Sequence, residues 1–229
     1  MDYIQRAKEV LNLEAHGIMA VSDQLNQGFT DTVNTVLECL EKGGKVVLTG
    51  VGKNTHIGQK ISATLASTGT PSIFLNPTQA MHGDMGMVLS NDVVIALSYS
   101  GESDELIALA PVLKRLGVKI IVITGIPDSS LAKLSNVVLP VTIEREACPF
   151  NMAPTASTTA TLAVGDALAM VLIDARGFKQ EDYAKLHPGG AIGRTLLLKV
   201  SDIMRTKDRV ATVKKGEKVK DAIIAMTKA

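Results

Sequence analysis

Apolar residues in the first part of the chain recur at helical spacing, and from Lys45 onward they gather into short continuous runs. Within residues 2–27, Ile4, Leu11, Ile18 and Leu25 return every seven positions with Ala7 and Val21 between them, which predicts one long helix. A second helix is predicted over 29–42, ended by Gly43-Gly44. The runs Lys45–Leu48, Ser72–Leu75, Val93–Leu97, Lys119–Thr124 and Asn136–Val141 are rich in β-branched residues and nearly continuously apolar. Runs of that kind suit parallel strands buried on both faces. Helical patterns lie between several of them, most clearly at 55–67 and 103–116. Pro111 is expected to kink the second of these unless that helix starts or stops there. The alternation predicts an α/β fold: a doubly wound, five-stranded parallel sheet of the Rossmann or flavodoxin-like kind, flanked by helices.

After the last run comes an irregular stretch, 144–154, and then a long apolar-periodic helix, Ser157 to Ala175, broken at Gly177. A short segment from Gln180 leads into His187-Pro188-Gly189-Gly190. The texture changes again from Val200, with a helix-like Ser201–Met204, a strand-like Val210–Val213 and a helix over Val219–Lys228. This tail has too few apolar residues for a core of its own.

Composition narrows the function. The 229 residues are 46% hydrophobic, enough for a real core, but only 3% aromatic with no Trp, which argues against platforms for stacking bases. The formal net charge of +1 is interspersed rather than blocked, so nucleic acid is not an expected partner. Cys39 and Cys148 are expected to be free thiols, since two cysteines make no disulfide framework and no metal spacing. The N-terminus lacks the apolar stretch of a signal peptide, and no run is expected to supply the ~20 apolar residues of a membrane helix, so a cytoplasmic protein with no membrane partner is expected.

Two junctions between a strand and a helix carry chemistry. The first, Thr49-Gly50-Val51-Gly52-Lys53-Asn54-Thr55-His56, lets backbone approach an anion at a helix start. By itself such a turn is ordinary, and it has neither the spacing of a nucleotide P-loop nor a full GxGxxG. The second, Ser98-Tyr99-Ser100-Gly101-Glu102-Ser103, gathers three hydroxyls at a helix start, a neutral cradle for a phosphate monoester. Capping explains one serine but not three at the carboxyl end of a sheet strand, where α/β proteins bind ligands. His56 and His16 lie in helical patterns and read as structural, as does Glu102. Glu105, in the first turn of a helix, is favoured by the dipole alone. Glu146 sits in irregular backbone with no helical reason for being acidic, and Lys53, His82 and His187 lie beside glycines or in loops.

This pair of motifs resembles SIS (sugar isomerase) domains. With His82-Gly83-Asp84-Met85-Gly86, Glu146-Ala147-Cys148-Pro149, Ala153-Pro154-Thr155-Ala156-Ser157-Thr158-Thr159-Ala160, Gly165-Asp166-Ala167-Leu168 and His187-Pro188-Gly189-Gly190-Ala191, it resembles the D-arabinose 5-phosphate isomerase family over about residues 1–205. The resemblance implies an SIS domain over 1–199, its N-terminal helices at 1–42, and the start of a CBS domain over 200–229, cut short within the first of the two CBS copies the family carries. It places the family's catalytic residues on Lys53, His82, Glu105, Glu146 and His187. Phosphate ligands fall on Ser98, Ser100 and Ser103, with Asn54 and Thr55 beside them. Two stretches depart from the family: Lys53-Asn54-Thr55-His56 stands where Lys-Ser-Gly-His is usual, and Asn76-Pro77-Thr78-Gln79-Ala80 replaces an HPGEA-type stretch.

The implied reaction interconverts D-ribulose 5-phosphate and D-arabinose 5-phosphate, supplying Kdo for lipopolysaccharide or capsule. It requires a base for one carbon-bound proton and acids for two oxygens. Glu146, its pKa raised by burial, is the expected base; His187 and His82 are expected to move protons among the oxygens, and Lys53 to stabilise the oxyanion. No metal and no cofactor is expected. The apolar seam of the first helix and the family's habit imply a homotetramer with shared sites and a nucleotide-linked effector. Two rivals remain: an SIS isomerase of another sugar phosphate, suggested by Asn76 and Gln79, and a non-catalytic phosphosugar-binding regulator, disfavoured by the absence of a basic recognition face in the two leading helices.

Overall fold

Strands β1 (Val46–Gly50), β2 (Ser72–Leu75), β3 (Val93–Leu97), β4 (Lys119–Thr124) and β5 (Val137–Pro140) coincide with the apolar runs to within one or two residues. They form one parallel sheet in the order β2-β1-β3-β4-β5. This computed structural model describes residues 1–188, 199–206 and 209–228, which divide into two compact units, Met1–Lys179 and Gln180–Ala229. The division falls earlier than the boundary at 199 expected from the sequence. It follows Gly177, whose left-handed φ of 61° ends the long helix before it.

In the first unit the sheet is sandwiched. One face, through Val46, Leu48 and Ile95, packs against Val36 of α2 (Gln27–Glu41), Ile61 and Leu65 of α3 (Lys53–Ser67), and Leu168 and Leu172 of α7 (Ala156–Arg176). The other face, through Val47, Val94 and Val122, packs against Leu106, Leu109 and Leu113 of α5 (Asp104–Arg115) and Leu131 of α6 (Ser130–Leu134). Burial on both faces is why the strands read as unbroken apolar runs, each filled side chain contributing about 1.5–3 kcal/mol. Pro111 neither starts nor ends α5: the helix runs through it on the exposed face, without the amide that would bond four residues back.

Helix α1 (Tyr3–Gln24) is capped by the Asp2 carboxylate, which accepts from the Ile4 and Gln5 amides. It lies on α7 through Gly17 and Val21, which are buried, and leaves Ile4 and Leu11 of the expected seam exposed. By length and composition α7 could cross a membrane, contrary to the sequence expectation that nothing here is long and apolar enough. Half of that stretch is buried inside the first unit, which explains its apolarity as that of a core helix. The short α4 (Pro77–Ala80) follows β2 and is capped by Asn76, whose side chain accepts from the Thr78 and Gln79 amides.

The second unit contains α8 (Gln180–Leu186), a short helix at Val200–Ile203 and a helix at Val219–Lys228. The strand expected over Val210–Val213 does not form. A lone β-branched stretch has no ladder to satisfy its amides, and no strand among the described residues pairs with it.

Candidate active site

The strand order reverses between β1 and β3, and the chains leaving these two strands diverge around a crevice at the carboxyl edge of the sheet, the position where doubly wound folds bind ligands. From β1 the chain enters α3 through Gly52, whose φ of 59° glycine adopts without strain, and Lys53 becomes the first helical residue rather than a loop residue. The Asn54 amide donates to the Leu97 carbonyl at the end of β3 (3.3 Å), tying the two loops together. The Thr55 hydroxyl donates to the Gly50 carbonyl (3.1 Å), a local bond within the turn, and Thr55 is not among the residues that line the two cavities described below.

The serine turn after β3 is held by its own hydrogen bonds. Ser98, buried, shares a hydrogen bond with Ser103 (Oγ–Oγ 2.9 Å) and accepts from the Gly101 amide (3.1 Å), while the Ser100 hydroxyl accepts from the Glu102 amide (3.2 Å). Ser103 occupies the N-cap of α5 yet makes no capping bond, so its hydroxyl serves the turn rather than the helix. The turn is clamped from behind: the Glu102 carboxylate accepts from the Ser130 amide (2.8 Å), and the Gly101 carbonyl accepts from the Leu131 amide (3.0 Å). Gly101 has φ of 65°, and a Cβ there would run into the Ser129 side chain.

The loop after β5 supplies the rest. Tyr99 bridges to it, its hydroxyl donating to the Ile143 carbonyl (3.4 Å) and accepting from the Ile143 amide (3.3 Å). The loop then closes on itself: Asn151, at the unusual φ of 53°, accepts the Glu146 amide on its side-chain oxygen (2.7 Å). The serine turn, Asn54 and this loop enclose a cavity of ≈ 370 Å³, and Lys53 lines an adjoining cavity of ≈ 250 Å³ that shares Val51, Asn54, Tyr99, Pro154 and Ser157.

Glu146, with 8% of its surface exposed, lines the larger cavity. One carboxylate oxygen accepts from the Thr155 amide (2.8 Å), the Thr155 hydroxyl (3.0 Å) and the Ser157 amide (3.2 Å); the other accepts from the Ser157 hydroxyl. Burial works against the charge, but these donors at the N-terminus of α7 outweigh it and hold the carboxyl below its ordinary value. The expectation of a raised pKa is therefore overturned. Three of these four donors converge on one carboxylate oxygen and a single one reaches the other. Two residues on, Cys148 has its thiol pulled below the usual range by the amides of Ala153, Met152 and Phe150, whereas burial pushes the Cys39 thiol up. Both thiols are free.

Of the expected set, Ser98, Ser100, Ser103, Asn54 and Glu146 line one cavity and Lys53 its neighbour. His82, exposed between α4 and a 3₁₀ turn at Asp84–Met87, lines neither, and nor does Glu105, exposed in the first turn of α5. His187 belongs to the second unit, where its Nδ1 lies 2.9 Å from the Tyr183 carbonyl and its ring stacks on Tyr183 at 4.0 Å. The Gly189-Gly190-Ala191 end of its motif lies outside the described residues. Sequence reasoning missed Tyr99, Arg145, Asn151 and Ser157 as lining residues; for Asn151 and Arg145 the one available signal was their place in the irregular stretch 144–154.

A doubly wound sheet with a serine-rich turn at its switch point defines the class, and the SIS domain model matches residues 39–171. The chain is 53% identical over 227 residues to arabinose 5-phosphate isomerase KdsD of Escherichia coli K12, covering 99% of this chain and 68% of that protein. It is 46% identical over 228 residues to arabinose 5-phosphate isomerase KdsD of Pseudomonas aeruginosa PAO1, covering 100% and 69%. An Escherichia coli CFT073 protein solved in complex with arabinose 5-phosphate superposes with a TM-score of 0.78 at 39% identity, over 82% of this chain and 98% of that one. The chain belongs to the SIS family, among the arabinose 5-phosphate isomerases.

Proposed function

We infer that the chain is an aldose–ketose isomerase that interconverts D-ribulose 5-phosphate and D-arabinose 5-phosphate. The observation that carries this is the hydrogen-bonded serine turn opening into a cavity large enough for a pentose phosphate, in a chain half-identical to arabinose 5-phosphate isomerases. The phosphate rests on the hydroxyls of Ser98, Ser100 and Ser103, with the Asn54 amide alongside, at the start of α5. Lys53, in the adjoining cavity, stabilises the oxyanion as the carbonyl moves between C1 and C2.

Glu146 takes a different part from the one its sequence context suggested. Held by four donors and with its pKa lowered, it is a weak proton acceptor and a good anchor, binding the loop after β5 to the start of α7. Proton transfer then falls to Glu105, His82 and His187, which we read as reaching the cavity from neighbouring copies in a tetramer. The exposed Ile4 and Leu11 on α1 support such an assembly. We further place the enzyme in the cytoplasm, feeding Kdo synthesis, and read residues 200–229 as the beginning of a CBS domain with a nucleotide-linked effector. Incubating the protein with ribulose 5-phosphate, fructose 6-phosphate and sedoheptulose 7-phosphate tests the function. Arabinose 5-phosphate is expected from the first substrate and little turnover of the others; preference for a longer ketose would refute the substrate assignment.

A further inference from the structure

The cavity presents a charge problem that the serine turn does not solve. A phosphate monoester brings about −1.5 to −2 charges at pH 7, while the serine hydroxyls and the Asn54 amide are neutral. Two carboxylates, Glu144 and Glu146, line the same cavity, and Glu146 is held ionised. Among the described residues that line it, Arg145 alone carries a positive side chain. Lys53 lines the neighbouring cavity instead.

Arg145 is also free to act. Its Nε makes one long hydrogen bond, donating to the adjacent Glu146 carbonyl at 3.4 Å, and no carboxylate among the described residues pairs with it. Several other cations of the first unit are engaged: Lys60 with Asp166, Lys119 with Glu38, Lys45 with Asp92 and Arg6 with Glu9. The segment that carries Arg145 is fixed on its far side, where the Ala147 amide donates to the Thr155 hydroxyl (2.9 Å) and the Glu146 amide to Asn151. The Nε contact leaves both terminal nitrogens of the guanidinium open, the part of an arginine that matches two oxygens of a phosphate. An exposed arginine is most often a solvated surface residue, but one that lines an anion's cavity without a carboxylate partner has a further use.

We propose that Arg145 is a substrate-binding residue, its guanidinium pairing with the phosphate dianion received by the Ser98–Ser103 turn. The proposal rests on the phosphosugar reading above and adds the residue that balances the charge. It predicts that binding, more than turnover, depends on Arg145.

The test compares wild type with Arg145→Gln and Arg145→Lys in three measurements: kcat and KM for ribulose 5-phosphate, the dissociation constant of inorganic phosphate by calorimetry, and both binding quantities against NaCl. Arg145→Gln is expected to raise KM and the phosphate dissociation constant about ten- to one-hundredfold, the size of one lost charge-assisted contact, with kcat changed by about threefold or less. Arg145→Lys should recover part of the loss. Wild-type binding should weaken with salt more steeply than that of Arg145→Gln, a difference a merely structural role would not produce. Unchanged KM, phosphate affinity and salt dependence in Arg145→Gln would overturn the proposal. A wild type that binds phosphate without isomerising ribulose 5-phosphate would refute the functional reading instead, and the phosphate affinities would still decide the role of Arg145.

Discussion

Replacing Glu146 by Gln separates an anchoring anion from a proton-abstracting base. The amide keeps the shape of the carboxyl group. Its oxygen can take the position that accepts from the Thr155 amide, the Thr155 hydroxyl and the Ser157 amide, and the Ser157 hydroxyl can turn to accept from its NH₂. What is lost is the charge. Hydrogen bonds to an ion contribute about 1.5–3 kcal/mol against about 0.5–1.5 for neutral ones, and the attraction to a helix N-terminus about 0.3–1 more. Allowing for rearrangement around the open cavity, the variant should be less stable by about 3 kcal/mol at pH 7. That corresponds to a fall in Tm of roughly 6–12 °C for a chain of this size.

The pH dependence has a definite sign. The folded-state pKa of Glu146 lies below its ordinary value of 4.5, so its stabilisation is fully present above that value and is lost as pH falls through the folded pKa. The stability gap between wild type and Glu146→Gln should therefore be constant from pH 8 to about pH 5 and close below it. Urea unfolding at a series of pH values measures this directly. A variant as stable as wild type at pH 7, or a gap that widens on acidification, would refute the assignment. A general base with a raised pKa would instead leave stability nearly unchanged and abolish turnover.

Four further outcomes follow from the geometry. Gly101→Ala meets both a left-handed φ and the Ser129 side chain, so it should cost about 2–4 kcal/mol in urea unfolding; a cost below about 0.5 would contradict the clamped turn. Ser103→Ala breaks the Ser98–Ser103 hydrogen bond without removing a cap, so KM for ribulose 5-phosphate should rise about tenfold while α5 stays intact by circular dichroism. Asp92 is buried against Lys45 and also accepts the Lys45 and Leu89 amides, so Asp92→Ala should cost about 3–5 kcal/mol; near-neutral stability would show the network to be dispensable. Under limiting iodoacetamide at pH 7, Cys148 should alkylate well before Cys39, because amides favour its thiolate while burial disfavours that of Cys39; mass spectrometry finding the reverse order would contradict both directions.

The sheet was legible because its strands are buried on both faces, leaving each as a continuous apolar run between turn signals. The serine turn was legible too, since three hydroxyls at one helix start exceed what a single cap requires. The short α4 and α6, at four and five residues, are too brief for any periodicity to emerge. The protonation of Glu146 was misread because its partners Thr155 and Ser157 lie nine and eleven positions away, across a loop whose path no local pattern fixes. The pairing of Tyr99 with Ile143, 44 positions apart, escaped for the same reason. The resemblance assigns His82 and Glu105 to the site, yet both are exposed and line neither cavity; a motif or family match carries no information on which surface a side chain will face.

The most direct measurement runs the reaction in D₂O. With ribulose 5-phosphate as substrate, the product is expected to be arabinose 5-phosphate carrying deuterium at C2, formed by wild type and lost in a variant with Ser98, Ser100 and Ser103 all replaced by Ala. Retention of full activity in that triple variant, or a wild type that forms no arabinose 5-phosphate, would contradict a phosphate held by this turn and an isomerisation performed beside it.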